Sequence, residues 1–151
     1  MTHYWLMKTE PNEFSYEDLA RDGRACWDGV RNHLAQRHLK QMAVGDEALI
    51  YHSVGPKSIV GIARITRTAY PDPTAQAGSP WMAVDIEPLK PLPHAVTLAQ
   101  IKQSPSLAEL PLIRQSRLSV MPVSDEAFRE LLMMGGLEAV AAPPRREETV
   151  T

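Results

Sequence analysis

Cysteine is nearly absent from this chain: Cys26 is the single one among 151 residues, so no internal disulfide is available. A cysteine-based zinc site would lack its usual second thiolate, and a lone thiol suits a reducing compartment. Long apolar runs are also missing. Leu49-Ile50-Tyr51 and Leu131-Leu132-Met133-Met134 fall far short of the roughly 20 apolar residues that span a bilayer as a helix. Met1-Thr2-His3-Tyr4-Trp5 leads straight into a strand-like run, without the basic and apolar regions of a secretory signal. A cytoplasmic protein with no membrane contact is the expectation.

Catalytic signatures are absent too. There is no Gly-x-Ser-x-Gly turn, and Gly55-Pro56-Lys57 lacks the upstream glycine and following helix of a phosphate loop. The histidines His3, His33, His38, His52 and His94 include no pair one helical turn apart, which argues against a metal site. His52 and Ser53 are neighbours in a strand and face opposite ways, so they do not form an acid/base pair. Neither an enzyme, nor a cofactor, nor a metal is expected.

What is present suits one domain: 44% of the residues are hydrophobic, enough for a proper core in a chain of this length. The net charge of −2 hides an uneven distribution. Between Arg21 and Lys40 five basic residues (Arg21, Arg24, Arg31, Arg37, Lys40) face two acids, Asp22 and Asp28. Lys57, Arg64 and Arg67 are unopposed across 52–71, whereas both ends of the chain are acidic. Folding either gathers the basic segments into one phosphate-attracting face or leaves them as scattered solvated charges.

Periodicity divides the chain into short elements. Tyr4 to Lys8 reads as a strand closed by Glu10-Pro11-Asn12, and Ser15 as the cap of a short helix ending at Asp22-Gly23. Asn32 to Met42 has helical spacing, with Leu34, Ala35, Leu39 and Met42 on one side and Arg37 and Lys40 between them. Ala48–Ser53, Ile59–Tyr70 and Trp81–Leu89 are strand-like, and alternation in the last puts Trp81 opposite the apolar Met82, Val84 and Ile86. Pro88, Pro91 and Pro93 are expected to end the sheet. Thr97 caps a short helix through Ile101 that Pro105 breaks. Leu118–Val123 reads as a further strand, and Ser124 opens a last helix that buries Phe128, Leu131 and Leu132 and stops at Gly135-Gly136. The order predicts an α+β domain around a curved sheet or small β-barrel flanked by short helices, not a doubly wound fold.

Trp27-Asp28-Gly29-Val30-Arg31-Asn32 fits none of these patterns. It sets a large ring at a turn, where Gly29 lets another group approach the backbone. On local chemistry alone, a Trp that plugs the end of the core is the stronger reading. Asn32 is either a helix cap or an amide able to read a base edge. Arg117 either binds phosphate or pairs with an acid, and Trp81 is either pocket wall or exposed anchor.

The motifs taken in order change that balance. Tyr4-Trp5-Leu6-Met7-Lys8-Thr9-Glu10-Pro11, Trp27-Asp28-Gly29-Val30-Arg31-Asn32, Tyr51-His52-Ser53, Ile59-Val60-Gly61-Ile62-Ala63, Ala69-Tyr70-Pro71-Asp72 and Arg117-Leu118-Ser119-Val120 closely resemble the EVE domain family. That family belongs to the PUA-like superfamily and is related in fold to YTH domains. The resemblance implies a PUA-like β-barrel with flanking helices, which sets the domain at residues 1–137, while 138–151 is Ala, Pro and charge without periodicity and reads as a flexible tail. It also implies a pocket for a flipped, modified nucleobase of DNA or RNA, with a free nucleotide or other small anionic ligand as the alternative. Trp27 would stack on the base, while Asn32, Tyr51, His52, Ser53, Trp81 and Ser119 would line the pocket. Lys8, Arg31 and Arg117 would hold the backbone or another anion. The sequence departs from the family pattern at Val54, where many relatives have Asn, and in a short 73–80 segment. The modest basic balance implies weak phosphate contact, which leaves room for a partner protein to supply affinity.

Overall fold

The structure, a computed structural model, describes residues 2–137. The tail expected over 138–151 lies outside the described residues. Strand β1 (Tyr4–Thr9) leads to α1 (Tyr16–Asp22), β2 (Ala25–Trp27), α2 (His33–Gln41), β3 (Glu47–His52), β4 (Ser58–Pro71) and β5 (Met82–Thr97). Helix α3 (Leu98–Lys102), a 3-10 turn (Pro105–Leu107), α4 (Pro111–Arg114), β6 (Val120–Val123) and α5 (Asp125–Met134) complete the order. The six strands form one sheet in the order β2-β5-β4-β3-β1-β6, with β1 parallel to β3 and every other pair antiparallel.

This is the expected α+β architecture, with one correction: the sheet does not close into a barrel. Among the described residues its edges are β2 and β6, and no pairing joins them. The long β4–β5 ribbon instead bends through four register shifts, as bulges do when they turn an open sheet.

A free strand edge explains the second correction. Pro88, Pro91 and Pro93 do not end the sheet, because β5 continues through them to Thr97. Strand β2 pairs with β5 only over Val84–Ile86. Beyond Ile86 the outer edge of β5 has no strand neighbour among the described residues, so a proline facing that edge breaks no ladder. Strand β2 itself is a third difference, since Trp27 reads as part of an irregular turn and Ala25 and Cys26 belong to no predicted element. Three residues are too few to display an alternation.

The helices start where their caps predict. Ser15 and Asp18 form a reciprocal capping box on α1, Thr97 and Gln100 form another on α3, and the Ser124 side chain accepts from Ala127 N on α5. Leu6, Met7, Leu49, Ile59, Ile65 and Ile86 lie in the centre of the core, at 0% exposure. On one side α5 packs through Phe128, whose ring stacks on Tyr4 at 4.0 Å. On the other, α1 lies so close to β4 that a Cβ at Gly61 would sit 2.5 Å from the Tyr16 ring. The Tyr16 hydroxyl donates to Ile62 O at 2.8 Å and fixes that approach.

Asp46 is the buried polar hub at the base of β3, 2% exposed. Its carboxylate accepts from Trp5 Nε1 at 3.0 Å, Ala43 N at 3.0 Å and His3 N at 3.1 Å. Each such bond offsets a desolvation cost of about 1–3 kcal/mol for a buried polar group left unmatched.

Candidate functional site

The C-terminal ends of the parallel strands β1 and β3 lie side by side, and beyond them opens a cavity of ≈ 670 Å³. Four parts of the chain wall it. Lys8, Thr9, Glu10, Glu13 and Phe14 come from the end of β1 and the loop after it. Ala25 through Arg31 come from β2 and its following turn, and Ser53, Ser116, Arg117 and Ser119 close the circuit.

Backbone and hydroxyl bonds hold these segments together. Lys8 N donates to Ser119 O at 2.9 Å and Lys8 Nζ to Ser116 O at 2.7 Å, which ties the segment before β6 to β1. Ser53 N donates to Thr9 O at 3.0 Å, and Thr9 Oγ1 donates to Phe14 O at 2.8 Å. The Trp27 indole is 8% exposed, belongs to the core and also faces the cavity. Core plug and cavity wall are therefore not exclusive roles. Phe14 meets Trp27 edge-on, with centroids 6.4 Å apart and planes at 81°, so the two rings form an aromatic corner.

The turn after Trp27 is pinned from across the sheet. Gly29 has φ +78°, and its N–H donates to Asp72 Oδ2 at 2.8 Å. Arg31 Nη1 donates to the same oxygen at 2.9 Å, and Arg31 Nη2 reaches Thr74 Oγ1 at 3.2 Å. Thr74 N and Oγ1 supply two further bonds to Asp72 Oδ1. Burial alone would raise the Asp72 carboxyl, but the donors from Thr74, Gly29 and Arg31 together outweigh it and hold the group well below the carboxylate range.

The cavity is mixed in charge, with Lys8, Arg31 and Arg117 against Glu10, Glu13 and Asp28. Burial pushes the Lys8 ammonium below its ordinary value, and the charge of Lys57 adds to the effect. Among the described residues, neither Lys8 nor Arg117 joins an ion pair. Burial raises the Cys26 thiol despite its contact with the Tyr70 hydroxyl at 3.0 Å, so it remains a thiol. No group of three or more His, Cys, Asp or Glu among the described residues is placed to hold a metal. No helix among them is long and apolar enough to cross a membrane.

Residues 3–134 match the family model described as the EVE domain. The chain belongs to the EVE domain family. Mouse thymocyte nuclear protein 1 is 32% identical over 167 aligned residues, covering 89% of this chain and 74% of that protein. The solution structure of Rpa0253 from Rhodopseudomonas palustris is 47% identical with a TM-score of 0.85, covering 90% of this chain and 94% of that one. Human THYN1, solved in complex with DNA containing 5-methylcytosine, is 30% identical with a TM-score of 0.83, covering 89% and 98%. A YTH domain from Zygosaccharomyces rouxii, at 14% identity and a TM-score of 0.58 over 89% and 86%, shares the fold.

In this EVE domain Lys8, Trp27, Arg31, Ser53, Arg117 and Ser119 meet around one cavity, and four other expected pocket residues lie elsewhere. Asn32 caps α2, its Oδ1 accepting from Ala35 N at 2.9 Å. Tyr51 is 2% exposed and sits beneath Lys8, whose Nζ is 5.8 Å from its ring centre. His52 Nε2 accepts from Tyr16 N at 3.1 Å, satisfying a free amide in the first turn of α1. Trp81 lines a separate, smaller cavity on α2, because β5 starts only at Met82 and the short loop before it folds toward His33.

Residue-by-residue reading gave no role to Phe14, Glu10 or Glu13. The signal for Phe14 was available: an aromatic between Pro11 and the Ser15 cap has no apolar face of a helix or strand to join.

Proposed function

We propose that the cavity at the Trp27–Arg31 turn accepts a flipped, modified nucleobase of DNA or RNA. The observation that carries this reading is that cavity itself: ≈ 670 Å³, with an aromatic corner of Trp27 and Phe14 and, in its wall, the cations Lys8 and Arg117, which join no ion pair among the described residues. The human THYN1 complex with 5-methylcytosine DNA, at a TM-score of 0.83, supports the choice of ligand. In this reading Trp27 and Phe14 contact the base plane, Ser53 and Ser119 hydrogen-bond its edge, and Lys8 and Arg117 hold the flanking phosphates. Arg31, tied to Asp72, keeps the mouth open. Asn32, Tyr51 and His52 support the site from beneath.

The magnitudes are compatible. Flipping costs a few kcal/mol of unstacking, and ring contact at about 1–3 kcal/mol plus edge hydrogen bonds offsets it. A methyl group adds roughly 0.8 kcal/mol of burial, so discrimination of a modified base is modest unless the walls close tightly on it. Binding without turnover is part of the proposal. Action in a reducing cytoplasm is also part of it, on the ground of the unpaired Cys26 thiol.

Titration of labelled oligonucleotides with and without 5-methylcytosine or N6-methyladenine tests the reading. Tighter binding of a modified strand, lost in Trp27→Ala, is expected; equal binding by wild type and Trp27→Ala would sink it. The polar walls and the cations Lys8 and Arg117 also favour a second reading, a pocket for a free anionic nucleotide. That reading predicts that a mononucleotide raises the melting temperature as much as an oligonucleotide does.

A further inference from the structure

A second cavity, of ≈ 220 Å³, is lined by His33, Gln36, Arg37, Lys40, Pro80 and Trp81. His33, Arg37 and Lys40 recur at helical spacing on one exposed face of α2, a helix with no acidic residue. Among the described residues none of the three joins an ion pair. Trp81 stays outside the core and stacks on the His33 ring, with centroids 4.9 Å apart. The Arg31 guanidinium lies 5.6 Å from the same indole, and Arg31 also lines the first cavity, so it forms the ridge between the two.

The offset between ridge and helix is rigid. Gln36 is 2% exposed; its Nε2 donates to Val30 O at 2.8 Å and Met82 O at 3.0 Å, and its Oε1 accepts from Met82 N at 3.0 Å. One buried amide thereby locks α2 to the turn after Trp27 and to the first residue of β5. A solvated helix face explains the lysine and arginine. It does not explain a partly exposed indole stacked on His33 beside them, which forgoes apolar burial and suits contact with a sugar or base.

We propose that this α2 groove is the track for the phosphodiester backbone of the strand that delivers the base, with Arg37 and Lys40 on phosphates and Trp81 against a flanking nucleotide. The inference rests on the base-binding reading of the first cavity. Each cation that neutralises a phosphate releases a counterion, so the track has a signature in salt dependence that a base pocket lacks.

The test is anisotropy titration of the full chain across a salt series. The probes are a DNA duplex with one 5-methylcytosine, its unmodified twin, and RNA strands of the same sequence with and without 5-methylcytosine. The double variant R37Q/K40Q is expected to weaken binding about tenfold at low salt and to reduce the salt slope by about two. Its preference for the modified strand is unchanged, and the better-bound of DNA and RNA identifies the backbone. Lys90→Gln with Lys102→Gln removes equal charge from exposed positions elsewhere and leaves affinity and slope as in wild type. Thermal unfolding accompanies each variant, and Arg37→Gln alone repeats the slope measurement if the double variant unfolds.

An unchanged slope in R37Q/K40Q, with binding lost in Trp27→Ala, overturns the track and leaves the base pocket standing. A reduced slope with no effect of Trp27→Ala or of the modification supports the track and overturns the base pocket. Wild-type protein that binds neither DNA nor RNA overturns both.

Discussion

The Gly29 amide donates to Asp72 Oδ2 at 2.8 Å, so the turn that carries Trp27 is anchored to the far end of β4. Arg31 shares that oxygen at 2.9 Å, and the Asp72 side chain is 0% exposed while that of Arg31 is 38% exposed. Asp72→Asn removes the charge that all these donors address and leaves Arg31 unpaired. We expect a loss of about 2–3 kcal/mol in chemical unfolding, between the cost of a charged hydrogen bond and that of a broken buried pair. The folded Asp72 carboxyl lies below its unfolded value, so its stabilisation is complete above the unfolded value, near pH 4, and is lost as pH falls toward the folded one. Wild type therefore loses stability more steeply below about pH 4 than Asp72→Asn does. Parallel acid profiles would refute the assignment.

His52 links β3 to α1 as an acceptor, Nε2 to Tyr16 N at 3.1 Å, and this bond requires a neutral ring. Burial lowers its folded pKa, only partly opposed by the charge of Glu17. The unfolded chain then takes up the proton first, so stability is full above about pH 6.5 and declines as pH falls toward the folded value. Burial lowers His38 as well, so it adds a loss of the same sign as pH falls. Comparison of wild type with His52→Gln separates the two. The variant shows a shallower decline as pH falls below about 6.5, and nitrogen-detected NMR shows His52 Nε2 unprotonated at neutral pH. A protonated Nε2 in the folded protein at that pH contradicts the bond.

Much of this architecture was legible because its determinants are local. Ser15, Thr97 and Ser124 announce helix starts by their own side chains, and the Ile, Val, Thr and Tyr content of Ile59–Tyr70 marks a strand from its own residues. The failures are non-local. Nothing within Ala25–Trp27 marks three residues as a strand, because β5 supplies their partners. Nothing near Pro88, Pro91 or Pro93 reveals that β5 has a free edge there. The cavity shows the same division: the family motifs singled out Trp27, Ser53 and Ser119, but Asp72 pins Gly29 across 43 residues of sequence, a pairing no local pattern contains. The family resemblance assigns Trp81 to the base pocket, whereas the structure sets it at the separate cavity beside α2.

Gly61 is required by contact and not by backbone conformation. A Cβ there meets three atoms of the Tyr16 ring at 2.5–2.8 Å. Tyr16 cannot withdraw without breaking its bond to Ile62 O and dragging α1 from the sheet. Gly61→Ala is expected to cost about 1–3 kcal/mol, as overpacking does. Pairing it with Tyr16→Leu, which frees space near the ring edge, recovers part of that loss in a double-mutant cycle; strict additivity would show that the two positions do not meet.

Asn32 tests whether a residue in the most recognisable motif serves the ligand or the fold. Its Oδ1 is committed to Ala35 N at 2.9 Å, and it lines neither cavity. Asn32→Ala removes the cap and is expected to cost about 1 kcal/mol of stability. Asn32→Ser keeps a capping oxygen and restores most of that, while deleting the amide a base edge would need. The two properties therefore separate. If capping is the whole role, Asn32→Ser melts near wild type and binds a modified oligonucleotide with unchanged affinity. If Asn32→Ser melts near wild type and still loses discrimination between modified and unmodified strands, the amide reads the base and the assignment made from the cap geometry is wrong.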